Sequence, residues 1–287
     1  MKFWQALSFT EVDQLVEVAR ICEQVGFHGV FVSDHVVYPE KFEPRYPYSE
    51  DGRPMFDAST EWPDPWVAIA AMATATERLH FTTGVYLAPL RHPLQVAKSV
   101  GIASMLSQGR TALGTAVGWM REEFEILDQD FRTRGRRLDE TIEICRKAWS
   151  GEIFEHHGEH YDVPRVTMSP APGFSIPVYV GGVSDAALRR AGRNDGWIGT
   201  GNHPREVPQI LDRLAAIRRE LGRSKTDFEV IVALTTPPDF DEWRRLEDLG
   251  VTSLVSYPLS FTIGPGSELV QKRDALERYA NEIIARY

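Results

Sequence analysis

An alternation between two hydrophobic periods, sustained along the whole chain, is the feature that most constrains its fold. Short runs rich in β-branched and aromatic residues, typical of buried strands, alternate with runs whose apolar residues recur every three or four positions, typical of helices. The strand-like runs are FWQAL, GVFVS, LHFTTGVYL, RTALGTAVG, IPVYVGG, GWIGTG, FEVIVALT and TSLVSYP. The helical runs cover residues 11–25, 65–76, 93–107, 134–149, 184–192, 204–221, 240–250 and 267–286.

Eight strand–helix pairs predict the α/β class and a (β/α)8, or TIM, barrel that occupies residues 1–287 as a single domain. The alternative is a doubly wound open sheet. An open sheet of that kind usually carries a G-x-G-x-x-G turn after its first strand, and no such turn follows FWQAL. The sequence therefore favours the barrel.

The charge balance and the cysteines narrow the range of partners and compartments. A net charge of −9 and a pI of about 5.4 disfavour binding to nucleic acid or to an anionic membrane, which leaves a small molecule as the expected partner. The N-terminal stretch lacks the apolar core of a signal peptide, and no apolar run reaches the roughly 20 residues of a transmembrane helix. Cys22 and Cys145 fall in helical patterns, which predicts reduced, buried thiols in a cytoplasmic protein.

The connection over residues 36–63 is longer than a barrel needs and is rich in proline and tyrosine. Because it follows the second strand, we expect it at the mouth of the barrel, where lids and binding loops lie. The alternative is a loop that packs only on its own rings. The aromatic residues that are candidates for an apolar roof over the mouth are Tyr38, Phe42, Tyr46, Tyr48, Phe56 and Trp62.

A second long connection covers residues 150–175, and we expect it to be without regular structure. It contains His156, His157 and His160. Their spacing would suit a metal ion only on a helix, which this stretch does not favour, so we expect no metal site.

Polar residues and glycines stand where predicted strands end, and in a barrel those ends converge on one face. Asp34 and His35 follow the second strand, where a carboxylate could bind a ligand N–H and an imidazole could carry a proton. The alternative is a pair of capping or loop residues. Gly181, Gly182 and Ser184 open a helix, whose free N–H groups favour a phosphate, although a Gly-Gly pair there is often only a tight turn.

Several longer stretches extend these observations. GFHGVFVSDH, the run from DPWVAIAAM to GTAVGW, REEFEILDQDFRTRGRRLDETIEICRKAW and IPVYVGGVSDAALRRAGRNDGWIG together resemble the bacterial luciferase-like superfamily, in order and over roughly residues 1–200. The resemblance is closest to the branch that uses the deazaflavin coenzyme F420. It implies a TIM barrel, a bound flavin or deazaflavin, and a homodimer.

The resemblance also implies roles for individual residues around the ring of the coenzyme. Asp34 and His35 match an Asp-His pair that contacts the deazaflavin edge and the reacting substrate atom. Gly84 and Val85 match a non-prolyl cis peptide that supports the face of the ring.

The fourth and fifth strands supply the remaining matches. Gly118 and Trp119 match the fourth-strand loop that flanks the ring, so that His35, Asp34 and Trp119 are the predicted catalytic residues. Val180, Gly181 and Gly182 match the site for the phosphate and side chain of the coenzyme, next to Ser184.

One departure from that branch bears on the substrate. Its sugar-phosphate dehydrogenases carry a proton-donating glutamate after the fourth strand, where this chain has Trp119. We expect the nearby Glu122 and Glu123 to be surface or capping residues. A sugar phosphate is therefore disfavoured, and Trp119 with the aromatic connection points to an apolar or ring-shaped substrate.

The predicted function is an F420-dependent oxidoreductase that transfers a hydride to or from such a substrate. The principal alternative is a two-component monooxygenase that uses FMN, since the cofactor decides the chemistry on this scaffold. Arg110, a candidate for binding the FMN phosphate, stands at the start of the fourth strand and so at the wrong end of the barrel. A non-catalytic flavin-binding protein and an unrelated barrel lyase or isomerase are further alternatives.

Overall fold

The computed structural model describes residues 1–43, 46–47, 49, 51–199 and 201–287. The strands are β1 (Lys2–Ala6), β2 (Gly29–Val32), β3 (His80–Thr83), β4 (Thr111–Thr115), β5 (Phe154–His157), β6 (Asp162–Val166), β7 (Val178–Gly181), β8 (Gly196–Ile198), β9 (Glu229–Ala233) and β10 (Ser253–Ser256). The helices are α1 (Leu15–Val25), α2 (Pro65–Thr74), α3 (Pro93–Leu106), α4 (Arg121–Ile126), α5 (Arg134–Trp149), α6 (Asp185–Arg193), α7 (Val207–Glu220), α8 (Phe240–Asp248), α9 (Leu259–Ile263) and α10 (Leu269–Tyr279).

Eight parallel strands close into a barrel in the order β1, β10, β9, β8, β7, β4, β3, β2, with β2 pairing back onto β1. All eight strands of the barrel are the ones that the sequence predicts, and the (β/α)8 fold is confirmed. The strands are shorter than the apolar runs that contain them. The run LHFTTGVYL, for example, leaves the ladder after Thr83, and its last residues already belong to the mouth.

Alternation along each strand separates two apolar layers, because successive side chains point to opposite faces. In β2, Val30 and Val32 face outward into the large core between barrel and helices. Phe31 faces inward, where it packs with Trp4, Ile198 and Ile231 into a plug that fills the barrel. The mouth therefore has a solid floor, and a ligand can reach only the strand ends and the loops above them.

The connection over residues 150–175 contradicts the expectation that it lacks regular structure. Strands β5 and β6 form an antiparallel hairpin within it. Glu140 of α5 accepts hydrogen bonds from three successive backbone N–H groups at the hairpin tip and lies 3.3 Å from the Nε2 atom of the buried His156. Among the described residues, no group of three or more His, Cys, Asp or Glu side chains could hold a metal ion.

Both thiols are free and buried, as predicted, and burial raises their pKa values, so neither is a ready nucleophile. Within the described part of the chain, no helix has both the length and the apolar character needed to cross a bilayer.

Candidate active site

The end of β2 sends Asp34 and His35 in opposite directions, because an extended chain alternates its side chains. The side chain of Asp34 has no exposed surface, and its two oxygens accept hydrogen bonds from Arg91 at 2.5 and 2.8 Å. The backbone N–H of Leu87 donates a further bond to Asp34 at 2.8 Å. The carboxylate thus faces Arg91, which differs from the expectation that both members of the pair face the mouth.

Arg91 completes this buried arrangement. Its guanidinium lies 4.3 Å from the centre of the Tyr86 ring. Burial alone would lower the pKa of Arg91, but the neighbouring Asp34 carboxylate outweighs burial and raises it. Asp34 and Arg91 thus lie in ion-pair contact, which links the end of β2 to the loop before α3. Sequence reasoning did not identify Arg91.

His35 faces the mouth and is enclosed by aromatic rings. Its side chain is 10% exposed. The ring centroids of Phe56 and Trp62 both lie 4.9 Å from that of His35, and the Trp119 centroid lies at 6.3 Å. We call Phe56, Trp62 and Trp119 the aromatic enclosure.

The rest of the predicted roof builds outward from this enclosure. Tyr38 contacts Phe42 and Phe56, and both Phe42 and Tyr46 contact Trp119. The rings therefore pack against His35 and Trp119 as well as against one another. Tyr48, the other ring of the predicted roof, lies outside the described residues.

Glu123 corrects the expectation that it is a surface or capping residue. Its side chain is completely buried, and Oε2 lies 3.1 Å from Nδ1 of His35. Its other oxygen accepts the backbone N–H of Val36 at 2.5 Å and that of Val37 at 3.4 Å. Glu122, by contrast, is half-buried and accepts the backbone N–H of Glu43. The buried carboxylate of Glu123 therefore belongs to the mouth.

The Gly84–Val85 peptide is cis, as the resemblance implies, and it directly follows β3. The hydroxyl of Ser33 donates to the Gly84 carbonyl at 3.1 Å. A Cβ atom placed on Gly181 would lie 3.0 Å from Cγ1 of Val85, so these two strand ends come close together although β4 lies between them in the barrel. The predicted site residues of β3 and β7 are thus brought together.

The predicted phosphate site opens α6. Ser184 stands at the start of this helix, as predicted, and its hydroxyl caps the helix by accepting the backbone N–H of Ala187 at 3.3 Å. Gly182 has φ +111°, a conformation that side chains disfavour, and its carbonyl accepts the indole N–H of Trp197. Val180 has its side chain buried in the helix layer, so only its backbone could serve a ligand.

Two further residues complete the comparison with the sequence predictions. Gly118, φ +83°, lies on the buried ring of Phe124 just before Trp119. Arg110 bonds to the backbone carbonyls of Ala73, Thr76, Leu79 and Ser107 at the opposite end of the barrel, so it is not available to a ligand at the mouth.

Comparison with protein families places this geometry among known proteins. The model of the luciferase-like monooxygenase family matches residues 3–280. An uncharacterized protein of Mycobacterium tuberculosis is 37% identical over 288 residues, and the alignment covers 100% of both chains. The F420-dependent hydroxymycolic acid dehydrogenase of the same organism is 30% identical over 219 residues, which cover 75% of this chain and 56% of that protein.

Solved structures show the same fold at lower identity. The monooxygenase RslO1 from Streptomyces bottropensis superposes with a TM-score of 0.77 and 18% identity, covering 100% of both chains. The coenzyme F420-dependent tetrahydromethanopterin reductase from Methanopyrus kandleri superposes with a TM-score of 0.74 and 16% identity, covering 100% of this chain and 99% of that one.

Proposed function

Because this chain belongs to the luciferase-like monooxygenase family, we propose that it is an oxidoreductase that binds coenzyme F420 and exchanges a hydride between that coenzyme and an apolar or ring-shaped substrate. The observation that carries the proposal is the position of His35, an imidazole enclosed by aromatic rings at the mouth of the barrel. A relative at 30% identity that is named as F420-dependent supports the choice of coenzyme.

The residues at the mouth fit a planar, phosphorylated coenzyme. At Gly84, Gly118 and Gly181 the space that a side chain would need is filled by Phe31, Phe124 and Val85, so the missing side chains let the protein pack closely around the mouth. The buried indole nitrogen of Trp62, beside His35, has no hydrogen-bond partner among the described residues and is free to donate to a ligand. Since the aromatic enclosure covers His35, a ligand must displace part of it.

In this proposal Gly84 and Val85 would support the ring of the coenzyme, and Gly181, Gly182 and Ser184 would hold its phosphate-bearing tail at the start of α6. When bound, F420 supplies a ring carbon that accepts or donates a hydride. His35 holds or delivers the proton that accompanies the hydride at its mouth-facing nitrogen Nε2.

The remaining side chains prepare the surroundings of that proton. The aromatic enclosure excludes water and offers apolar contact area, which favours a hydrophobic or ring-shaped substrate over a hydrated sugar phosphate. Asp34 acts from beneath, by fixing the loop that carries Leu87 and Arg91, rather than by touching the ring.

An FMN-dependent monooxygenase is the second candidate, since one of the structures with this fold is a monooxygenase. The FMN phosphate would need a basic partner near the mouth, and Arg110 is fully engaged at the other end of the barrel. This placement of Arg110 favours F420 over FMN.

Direct titration distinguishes these candidates. Purified protein is titrated with F420, reduced F420 and FMN while its tryptophan fluorescence is recorded. We expect saturable quenching by F420 at lower concentrations than by FMN, and a smaller quenching amplitude in a Trp119→Phe variant. Tighter binding of FMN would refute the proposal, and binding of F420 without turnover of any substrate would indicate a non-catalytic protein. The homodimer also stays a proposal, and sedimentation of the same samples tests it.

A further inference from the structure

Glu123 has no role in the proposed reaction as described so far, although its carboxylate lies in the protein interior, where acidic side chains are rare. Its side chain is fully buried, on a short helix that follows β4. Burial of a carboxylate is costly unless hydrogen bonds compensate for the lost water. Among the described residues, no lysine or arginine lies within ion-pair distance of it, and its compensation comes from His35 and from the backbone N–H groups of Val36 and Val37.

These contacts favour one tautomer of His35 when Glu123 is ionised and the imidazole is neutral. A backbone N–H can only donate, so Oε1 of Glu123 is the acceptor for Val36. With the carboxylate ionised, Oε2 carries no proton either, so Nδ1 of His35 at 3.1 Å is the donor to it. A neutral His35 with its proton on Nδ1 has a free lone pair on Nε2. Within the described residues, Nε2 of His35 has no hydrogen-bond partner, so it could bond to a ligand at the mouth.

We propose that Glu123 is a positioning residue that holds His35 in the Nδ1–H tautomer, so that Nε2 faces the mouth as the proton-accepting atom. The effect on turnover rests on the proposed function, whereas the tautomer itself does not. Glu123 touches neither substrate nor coenzyme in this scheme, and it acts only through the imidazole.

The Glu123→Gln substitution should reverse the tautomer of His35. The Val36 N–H still needs an acceptor, so the amide oxygen takes the position of Oε1. The amide NH₂ group then faces Nδ1 of His35 and can only donate to it. The proton of His35 therefore moves to Nε2, and the tautomer inverts without any large change in side-chain shape. Glu125→Gln is the matched control, because Glu125 lies on the same helix, is exposed, and loses the same charge.

The tautomer is measured by nitrogen-15 NMR of the full chain with labelled histidine, at a pH where the ring is neutral, and the His35 signals are assigned by their loss in His35→Asn. In the unmodified protein we expect the His35 proton on Nδ1. In Glu123→Gln we expect it on Nε2. Glu125→Gln should give the same result as the unmodified protein. A proton on Nε2 in the unmodified protein would overturn the proposal. So would a folded Glu123→Gln variant with an unchanged tautomer. If Glu123→Gln does not fold, the spectrum of the unmodified protein still decides.

Turnover provides the second readout. We expect Glu123→Gln to lower kcat by about 10-fold or more while KM changes by less than a few-fold, because the ring stays in place but presents the wrong form at Nε2. Glu125→Gln should leave both constants unchanged. If the tautomers are as expected but the protein neither binds nor turns over F420, the proposed function is refuted and the proposed tautomer stands. An unchanged kcat in Glu123→Gln would refute the role of Glu123 in turnover.

Discussion

Replacing Arg91 by methionine should destabilise the barrel by about 3 kcal/mol, and the size of this effect follows from the burial of Asp34. Removing one partner of a buried ion pair generally costs about 3–5 kcal/mol, because the other charge stays buried without compensation. Asp34 has no exposed side-chain surface, loses both bonds to Arg91, and keeps only the Leu87 N–H. The cavity beside Arg91, about 360 Å³, admits water that softens the loss, which places the expected value at the lower end.

The deficit should also depend on pH, and its sign follows from Asp34. Burial raises the pKa of this carboxyl, and Arg91 is the largest influence that lowers it. Without Arg91 the folded state favours the protonated acid more strongly than the unfolded chain does. Folding then takes up a proton, so the variant loses stability as the pH rises through the raised pKa of Asp34, and the deficit shrinks toward acidic pH.

Urea unfolding, followed by both tryptophan fluorescence and circular dichroism at several pH values, measures this prediction. Arg189→Met is the matched control, because the Arg189–Glu220 pair is more than half exposed and should contribute less than about 1 kcal/mol. A loss below about 1 kcal/mol in Arg91→Met, or a deficit that grows toward acidic pH, would show that the Asp34 carboxylate is not a buried, compensated charge.

Three further predictions test the mouth and the framework of the barrel. His35→Ala should leave F420 affinity within a few-fold and lower turnover by roughly 10²-fold, as measured by fluorescence titration and steady-state kinetics; unchanged turnover would exclude His35 from the reaction. Burial and the neighbouring ring of His80 lower the pKa of His28 from an ordinary 6.5 to about 4. Between these two pH values the unfolded chain binds more protons than the folded protein, so the free energy of unfolding falls as the pH drops from 6.5 to about 4. His28→Asn should flatten this decline in Tm, and an equally steep decline would contradict the assignment. Gly114→Ala should greatly reduce the soluble yield or Tm, because its Cβ would meet a backbone oxygen at 1.9 Å, whereas Gly173→Ala meets nothing and should behave as the unmodified protein does.

The barrel could be read from the sequence because its signals are local. Each strand of the barrel lies in a short apolar run, and each long helix repeats its apolar residues with the helical period, as in α5, which matches the predicted residues 134–149. The β5–β6 hairpin was missed because its local signals are weak. Its strands alternate buried and exposed residues over only four or five positions and include His156, His157 and Pro164, which are weak strand signals.

Side-chain direction at the mouth was available from the sequence only in part. Period-two alternation along β2 already implies that Asp34 and His35 face different layers. What no local pattern shows is the partner of each. Arg91 lies 57 residues from Asp34 along the chain, and the pairing of β2 with β3 brings them together.

Glu123 left a signal that could have been recognised. On a helix, residues three before and four after share a face. Met120 and Leu127 stand at these positions; Met120 is buried, and Leu127 is partly buried against the cluster of Leu87, Leu90 and Phe124. An acid between two apolar neighbours on one face indicates an inward carboxylate, although its contact with His35, 88 residues away, could come only from the folded structure.

The aromatic enclosure has a kinetic consequence. The ring centroids of Phe56 and Trp62 both lie 4.9 Å from that of His35, so an incoming molecule cannot reach the imidazole by diffusion alone. It has to wait until the rings separate, an event that belongs to the protein and not to the solution. The observed association rate should therefore rise with ligand concentration only to a ceiling, and the height of that ceiling is the opening frequency of the mouth.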